Sequence, residues 1–436
     1  MRDILLVLFL FVAIFYSFKK PYLGVSAWIW VALMAPANWA FGFSQSFRIN
    51  LTIVIVTAIS YVVFKEKNKV PFDKLSAYIS IFLIWSLITT ANHIQLVNAD
   101  VWDDFFQFVK IILLYFFILA TISKRLHIDT FIWAIVLAIS SYAAMEAVKY
   151  IISAGGHRIT GRSGIIMDRN DLAVAINMCI PLCVYLLSVT KVKALKIGLI
   201  ALIVLSIISV VGTYSRGGFI GLSILAIAFW LKSNRKMLFA LLAFLMLPIL
   251  YQNAPAEWKE RQDTISTAAE QDGSFIGRLW AWKISTMIAL DNPMTGGGYR
   301  SVTDPLLWRY YRPMTPDFGP IATPEIPNRK GAKAAHNIYF QVLGDHGFVG
   351  LLIFLTLLSS AYLKCRQNII LSIKLKIAWQ EKLNRALSLS LIGYGITGLN
   401  VSLAYFELVY ALIAIIVVNS SYIKRVQINT PLNLPS

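Results

Sequence analysis

Apolar runs recur along almost the whole chain, and they constrain its fold more than any other feature. Each run covers about 15 to 25 residues, and a helix needs roughly 20 residues to cross the hydrocarbon core of a bilayer. Only 14% of the residues are charged, whereas about 25% are charged in ordinary soluble domains. The sequence therefore predicts an all-α polytopic membrane protein.

The apolar runs define the candidate spans and the domain organisation. They cover residues 4–18, 22–36, 48–64, 75–91, 105–122, 129–153, 170–189, 195–213, 217–231, 237–251, 336–362, 386–402 and 404–422. The first two runs are short, so they form either two tilted helices or one broken crossing. We therefore expect about 12 transmembrane helices, with 13 as the alternative. The predicted domains are an N-terminal transmembrane bundle (1–251), a large loop with short helices (252–335), and C-terminal transmembrane helices with a tail (336–436).

Lysine residues mark one set of linkers between the spans. They occur at Lys65, Lys67, Lys69 and Lys74, at Lys124-Arg125, and in 191–196, 232–236, 363–385 and 424–425. Because loops rich in lysine and arginine stay in the cytoplasm, this side is predicted to be cytoplasmic, and the long loop periplasmic. Much of the net charge of +18 lies in these linkers. Membrane topology explains that charge, so no nucleic-acid partner is expected.

The cations of the opposite loops are mostly arginines. They are Arg158, Arg162, Arg169, Arg216, Arg261, Arg278, Arg300, Arg309 and Arg312. A guanidinium group binds phosphate oxygens with two hydrogen bonds, whereas lysine offers a point charge. The pattern indicates an anionic, phosphorylated ligand on that side of the membrane. The alternative is contact with lipid headgroups and ion pairs within the loops.

The long loop contains one helical pattern. Large apolar residues recur at helical spacing over 275–288, and Asn292-Pro293 ends the run. An amphipathic helix at the membrane surface would place Trp280 among the headgroups and hold Arg278 at the depth of a lipid phosphate. The alternative is a helix that packs on its own loop domain.

The best candidate for a general base is His336, where the long polar loop meets an apolar helix. A neutral imidazole at this boundary can accept a proton from a hydroxyl group near neutral pH. Arg216 lies in a tight turn close to the bilayer, where a charge needs a partner, and we expect an anion. Arg158 and Arg162 are four residues apart, so a helical turn would direct both to one site; a solvated loop is the alternative.

Three further residues are candidates for supporting roles. Arg300 belongs to the same set of outer arginines, His346 follows His336 by two to three turns on the predicted helix, and Glu407 lies near the outer end of the last span. Each would either orient a catalytic group or stabilise helix packing.

Three segments resemble the domain shared by O-antigen ligases, O-antigen polymerases and bacterial O-oligosaccharyltransferases. They are 335–350 (AHNIYFQVLGDHGFVG), 213–218 (TYSRGG) and 277–301 (GRLWAWKISTMIALDNPMTGGGYRS). Residues 1–43 are similar to the N-terminal region of a ligase subgroup described as O-glycosylation ligases. Together the resemblance covers most of the chain, and the order of the motifs around one long outer loop gives it specificity.

The resemblance implies a glycosyltransferase of the GT-C type in the bacterial inner membrane, with its active site on the periplasmic side. Its donor would be an undecaprenyl-diphosphate-linked glycan and its acceptor a sugar hydroxyl of lipid A core. His336 matches the family histidine, and Arg216 and Arg278 match family arginines. Arg158 and Arg162 fall where the family often has basic residues. We expect an inverting reaction without metal or cofactor.

Two groups of alternatives remain. Within the family, a polymerase or a protein O-oligosaccharyltransferase would use the same donor with another acceptor. In a different class, a lipid or polysaccharide transporter would show internal repeats and polar groups near the bilayer midplane, and neither is evident in the sequence.

Overall fold

The computed structural model describes residues 2–39, 42–64, 67, 69–95, 100–162, 164, 166–232, 236 and 273–429. All the regular secondary structure in these residues is helical, which confirms the all-α prediction. In chain order the α-helices are α1 Arg2–Lys19, α2 Pro21–Met34, α3 Ile49–Val63, α4 Lys74–Ala91, α5 Val101–Thr121, α6 Arg125–Ile152, α7 Arg169–Val189, α8 Lys193–Gly212, α9 Arg216–Lys232, α10 Gly273–Asp291, α11 Pro305–Tyr311, α12 Ile338–Lys374, α13 Ala378–Thr397 and α14 Glu407–Asn429.

Seven of these helices are long and apolar enough to cross a bilayer, which indicates a membrane protein. They are α4, α5, α6, α7, α8, α12 and α14. Shorter apolar helices are Leu6–Lys19, Pro21–Met34, Ile49–Val63 and Arg216–Leu231. The predicted span at 237–251 lies outside the described residues, so the total number of crossings stays a prediction.

The first two apolar runs form an antiparallel hairpin. Lys20 is extended, and Pro21 occupies the first turn of α2, where its fixed φ and missing N–H are tolerated. The rings of Phe9 and Trp30 lie 4.5 Å apart. At the open end of the hairpin the Ser44 hydroxyl donates to Asp3 at 2.6 Å. Of the two predicted alternatives, the structure therefore has two separate helices.

The lysine-containing linkers meet at one end of the bundle, here called the lysine end. Three contacts join them: Lys364 Nζ to Asp73 Oδ2 at 3.3 Å, Arg425 Nη2 to the Ser123 carbonyl at 2.8 Å, and Lys382 Nζ to the Ser188 carbonyl at 3.2 Å. The other loops meet at the opposite, arginine end. There the Ile94 N–H donates to the Gly297 carbonyl at 3.3 Å, and the Ile159 N–H to the Gly212 carbonyl at 3.2 Å. The two predicted sets of loops are thus segregated.

Helix α10 packs on its own loop domain. Its buried residues Ile276, Trp280 and Ile284 form a second hydrophobic core with Trp308 and Tyr311 of α11. The Trp280 indole N–H donates to the Pro324 carbonyl at 2.8 Å, and only 3% of this side chain is exposed. The expectation that Trp280 lies among lipid headgroups is therefore wrong, because the protein itself covers the apolar face of the helix.

Helix α12 is broken near its start. Gly347 has φ 68° and ψ −169° inside the helix. The chain at 293–298 fills the break: the Phe348 N–H donates to the Pro293 carbonyl at 2.9 Å, and the Gly297 N–H donates to the Gly344 carbonyl at 2.8 Å. The prediction of one continuous span over 336–362 is therefore wrong at this point, since a distant loop supplies the hydrogen bonds that a straight helix would make internally.

Candidate functional site

His336 is held at the arginine end by its backbone. It adopts a left-handed conformation with φ 44°, which costs energy for a residue with a side chain. Its N–H donates to Ser402 Oγ at 2.9 Å, in the loop between α13 and α14. The next residue, Asn337, caps α12 by accepting from the Tyr339 N–H at 2.9 Å. The backbone of His336 is thus fixed just before the helix, and the residue is partly buried.

Asn400 joins two of the predicted arginine segments. Its Oδ1 accepts a hydrogen bond from Arg278 Nη1 of α10 at 2.8 Å. Its side chain also packs on Gly217, where an added Cβ would lie 2.5 Å from Nδ2. Arg216, the first residue of α9, directly precedes Gly217. Segments that are far apart in sequence therefore meet at one amide.

Charged groups surround the imidazole of His336. Burial lowers the pKa of His336 below its usual value of 6.5, and the neighbouring Arg278 and Lys333 lower it further. The carboxylate of Asp168 opposes them and raises it. The Lys333 amine lies over Gly277, beside Arg278, so an added Cβ there would be 2.7 Å from Nζ. The histidine is consequently neutral at pH 7, the state in which it can accept a proton.

Asp168 takes its place through the start of α7. Its carboxylate accepts from the N–H groups of Asn170 at 2.6 Å and Asp171 at 2.8 Å. Asp171 Oδ2 in turn accepts from the Asp168 N–H at 3.2 Å, which completes a capping box. The helix cap therefore holds the Asp168 carboxylate near His336, on which Arg278 and Lys333 also act.

The predicted pair in the preceding loop is arranged differently from the helical turn that was expected. The chain around Arg158 and Arg162 is not helical, so that interpretation is wrong. Arg158 is exposed and lies next to Ile159, which pairs with Gly212 at the start of the α8–α9 turn. The Arg162 guanidinium lies 5.2 Å from the ring centre of Trp39. Backbone pairing and stacking, rather than helix periodicity, set the two positions.

Arg300 and Glu407 lie at the same end of the bundle. Arg300 binds Asp104 of α5 with two nitrogens, Nε at 2.7 Å and Nη2 at 2.8 Å. This bidentate pair fastens the loop after α10 to α5. Glu407 is the first residue of α14 and is partly buried.

His346 lies inside the bundle, next to the break in α12. It is fully buried, and its Nδ1 is 2.6 Å from Thr89 Oγ1 of α4. Its ring makes edge contacts with Phe82 and Tyr299. Gly347, the next residue, separates His346 from the straight part of α12. The helix that was predicted to continue from His336 through the span 336–362 is therefore interrupted at Gly347.

Sequence reasoning missed three residues of this site. Asn400 and Ser402 fell inside or at the end of the predicted span 386–402, whereas α13 ends at Thr397. Two polar side chains within an apolar run were the available signal. For Asp168 the signal was the spacing to Asp171 before an apolar run, which is typical of a helix cap. In the described part of the chain, no cluster of three His, Cys, Asp or Glu residues is arranged to bind a metal ion.

Comparisons with known proteins divide the chain into two matched regions. The family model described as O-Antigen ligase matches residues 201–355. The model of a family of unknown function, DUF5935, matches residues 1–192. No curated protein matches the chain. Arg216, Arg278 and His336 lie in the region matched by the O-Antigen ligase model, and Arg158 and Arg162 lie in the region matched by DUF5935.

Proposed function

Since the family model described as O-Antigen ligase matches residues 201–355, we propose that the protein transfers a glycan from undecaprenyl diphosphate to a sugar hydroxyl of lipid A core. The observation that carries this proposal is that Arg278 and the start of α9 meet at Asn400, and that Arg278 lies close enough to His336 to lower the pKa of its imidazole. A proton acceptor and fixed cations then lie together at one end of the apolar helices. A lipid-linked donor can place its tail between those helices and its diphosphate at that end.

The reaction is a single displacement. The acceptor oxygen attacks the anomeric carbon, and neutral His336 takes the proton of the hydroxyl group. The bond between the anomeric carbon and the diphosphate oxygen breaks, and that oxygen keeps the electron pair. Arg216 and Arg278 stabilise the developing charge, with Arg158 and Arg162 as further donor contacts. Attack from the face opposite the leaving group inverts the anomeric centre.

The supporting residues act through position. Arg300 holds the loop after α10 against α5, and His346 holds the break in α12 against α4. Glu407 begins α14, directly after the loop that carries Ser402. These contacts favour a role in fixing the site over direct contact with substrate.

The location of the cluster bears on the alternatives. The groups gather at one end of the bundle, which favours group transfer at a membrane surface over transport through the midplane. A polymerase or a protein O-oligosaccharyltransferase would use the same donor groups. The acceptor therefore decides among the family members.

The test offers purified protein one lipid-diphosphate glycan and three acceptors side by side: lipid A core, a second repeat unit and an acceptor protein. We expect product on lipid A core, in the presence or absence of a chelator. Product on either of the other acceptors would assign the polymerase or the protein transferase instead.

Two variants test the residues. His336→Ala should lower the rate by roughly 10²–10⁴-fold, and Arg278→Ala should weaken use of the donor. Arg309→Ala is the matched control, because Arg309 is an exposed arginine of the same loop domain. Wild-type transfer by His336→Ala would remove the proposed base, and an equal loss in all three variants would remove the assignment of Arg278.

A further inference from the structure

A cavity lies at the lysine end, on the side of the bundle opposite His336. It has a volume of about 370 Å³ and is lined by the 69–73 loop and the last turns of α5 and α14. Small-molecule sites typically have volumes of roughly 300–1,000 Å³. The cavity is therefore large enough for a ligand, and the proposed transfer reaction makes no use of it.

The charges that line the cavity are mainly positive. Lys69, Lys424 and Arg425 contribute three cations, and Asp73 contributes the one carboxylate. The charge of Asp73 is already compensated, because Lys364 lies 3.3 Å away and the N–H groups at the start of α4 donate to it. Within the described residues, no carboxylate lies within salt-bridge distance of the three cations. The cavity thus has the electrostatics of an anion site.

The neutral groups suit a phosphate with an apolar tail. Ser123 lines the cavity and is 6% exposed, and its hydroxyl has no hydrogen-bond partner in the part of the chain that the structure describes. Ser420 also lines it. Leu119 and Val417 extend the lining into the apolar stretches of α5 and α14. Cations and hydroxyls therefore lie at the end of the helices, next to side chains that an acyl chain can contact.

We propose that this cavity binds the phosphate headgroup of an anionic phospholipid. Basic pockets between transmembrane helices are typical headgroup sites. Arg425 is already oriented by its bond to the Ser123 carbonyl, which leaves Lys69 and Lys424 as exposed cations able to move onto the phosphate. The apolar walls select a lipid over a free phosphate ion.

The experiment measures binding of fluorescent phosphatidylglycerol and fluorescent phosphatidylcholine, with the same acyl chains, to the purified full-length protein in detergent. The test variant is Lys69→Gln/Lys424→Gln, since neither side chain has a structural partner in the described residues. Each cation near a headgroup contributes about 1 kcal/mol, so loss of both should weaken phosphatidylglycerol binding roughly 25-fold. The wild type should bind phosphatidylcholine more weakly than phosphatidylglycerol, and the variant should bind phosphatidylcholine as the wild type does.

The matched control is Lys193→Gln/Lys196→Gln, which removes two exposed lysines of the lysine end that do not line the cavity. It should bind phosphatidylglycerol like the wild type. Equal loss in both double variants, or equal binding of the two lipids by the wild type, would overturn the site. Inorganic phosphate should fail to displace the labelled lipid. Displacement at the lipid's own affinity would assign a free-phosphate site and overturn the lipid proposal.

Discussion

Asn400 positions a cation without carrying charge itself. Its side-chain oxygen Oδ1 accepts a hydrogen bond that holds Arg278, and the same side chain covers Gly217 at the start of α9. A guanidinium group has rotamer freedom that must be lost before it can bind a diphosphate. Under the proposed function, the amide therefore orients the arginine before the donor binds.

Asn400→Ala should raise the donor KM about tenfold, because a hydrogen bond to a charged group is worth roughly 1.5 kcal/mol or more. Steady-state transfer assays with varied donor concentration measure it. Asn328→Ala is the control, since Asn328 accepts an equivalent 2.8 Å bond from Arg312 on the exposed side of the loop domain. The same change in KM for both variants would contradict the positioning role of Asn400.

The pH dependence of transfer should report the charges around His336. The base form exists above the pKa of His336, so the rate should fall as pH drops through a value below 6.5. Asp168→Asn removes the anion that raises this pKa, so the acidic limb should move to lower pH. Lys333→Gln removes a cation that lowers it, so the limb should move to higher pH.

Asparagine also caps helices well, so Asp168→Asn keeps the start of α7 intact. The measurement is the pH profile of kcat/KM for the three proteins. Shifts in the same direction for both variants would contradict the proposed role of His336 as the titrating base.

At the scale of elements, the break in α12 depends on one glycine. At Gly347 a Cβ would meet the carbonyl oxygens of Met294 and Pro293 at 2.7 Å, and the φ of 68° disfavours any side chain. Gly347→Ala should lower stability by about 1–2 kcal/mol or more from the backbone conformation alone. Thermal unfolding of the purified protein measures it.

Gly198→Ala in α8 is the matched substitution, because an added Cβ there meets nothing within 4 Å. Alanine is the better helix former, so this variant should be as stable as the wild type or more stable. An unchanged melting temperature for Gly347→Ala would show that the chain can straighten α12 without cost.

Hydropathy located most helices but not their connections. The predicted span 170–189 is α7 (Arg169–Val189), since burial and periodicity within one segment decide such an element. The break at Gly347 was not predictable from local sequence, because it depends on hydrogen bonds with the loop after α10, which begins some fifty residues earlier in the chain. Asn400 was missed for the same reason: its role exists only once α9 and α10 meet.

For the whole molecule, the segregation of lysine and arginine loops gives a test of orientation. Cys179, Cys183 and Cys365 are buried, so a membrane-impermeant maleimide should react only with an introduced cysteine. Tyr310→Cys at the exposed surface of α11 should be labelled in intact spheroplasts, and Lys193→Cys should be labelled only after lysis. The reverse pattern would contradict the predicted periplasmic position of His336.

The bond between His336 and Ser402 ties the proposed base to the loop that leads into α14, one of the helices long enough to cross a bilayer. Helix α14 has 23 residues, which corresponds to about 34 Å, close to the roughly 30 Å of a bilayer core. The height of the imidazole above the hydrocarbon is thus set by helix length, while the height of a donor phosphate is set by the lipid. A thicker bilayer would draw the two out of register, so under the proposed function we expect the rate of transfer to depend on hydrophobic mismatch.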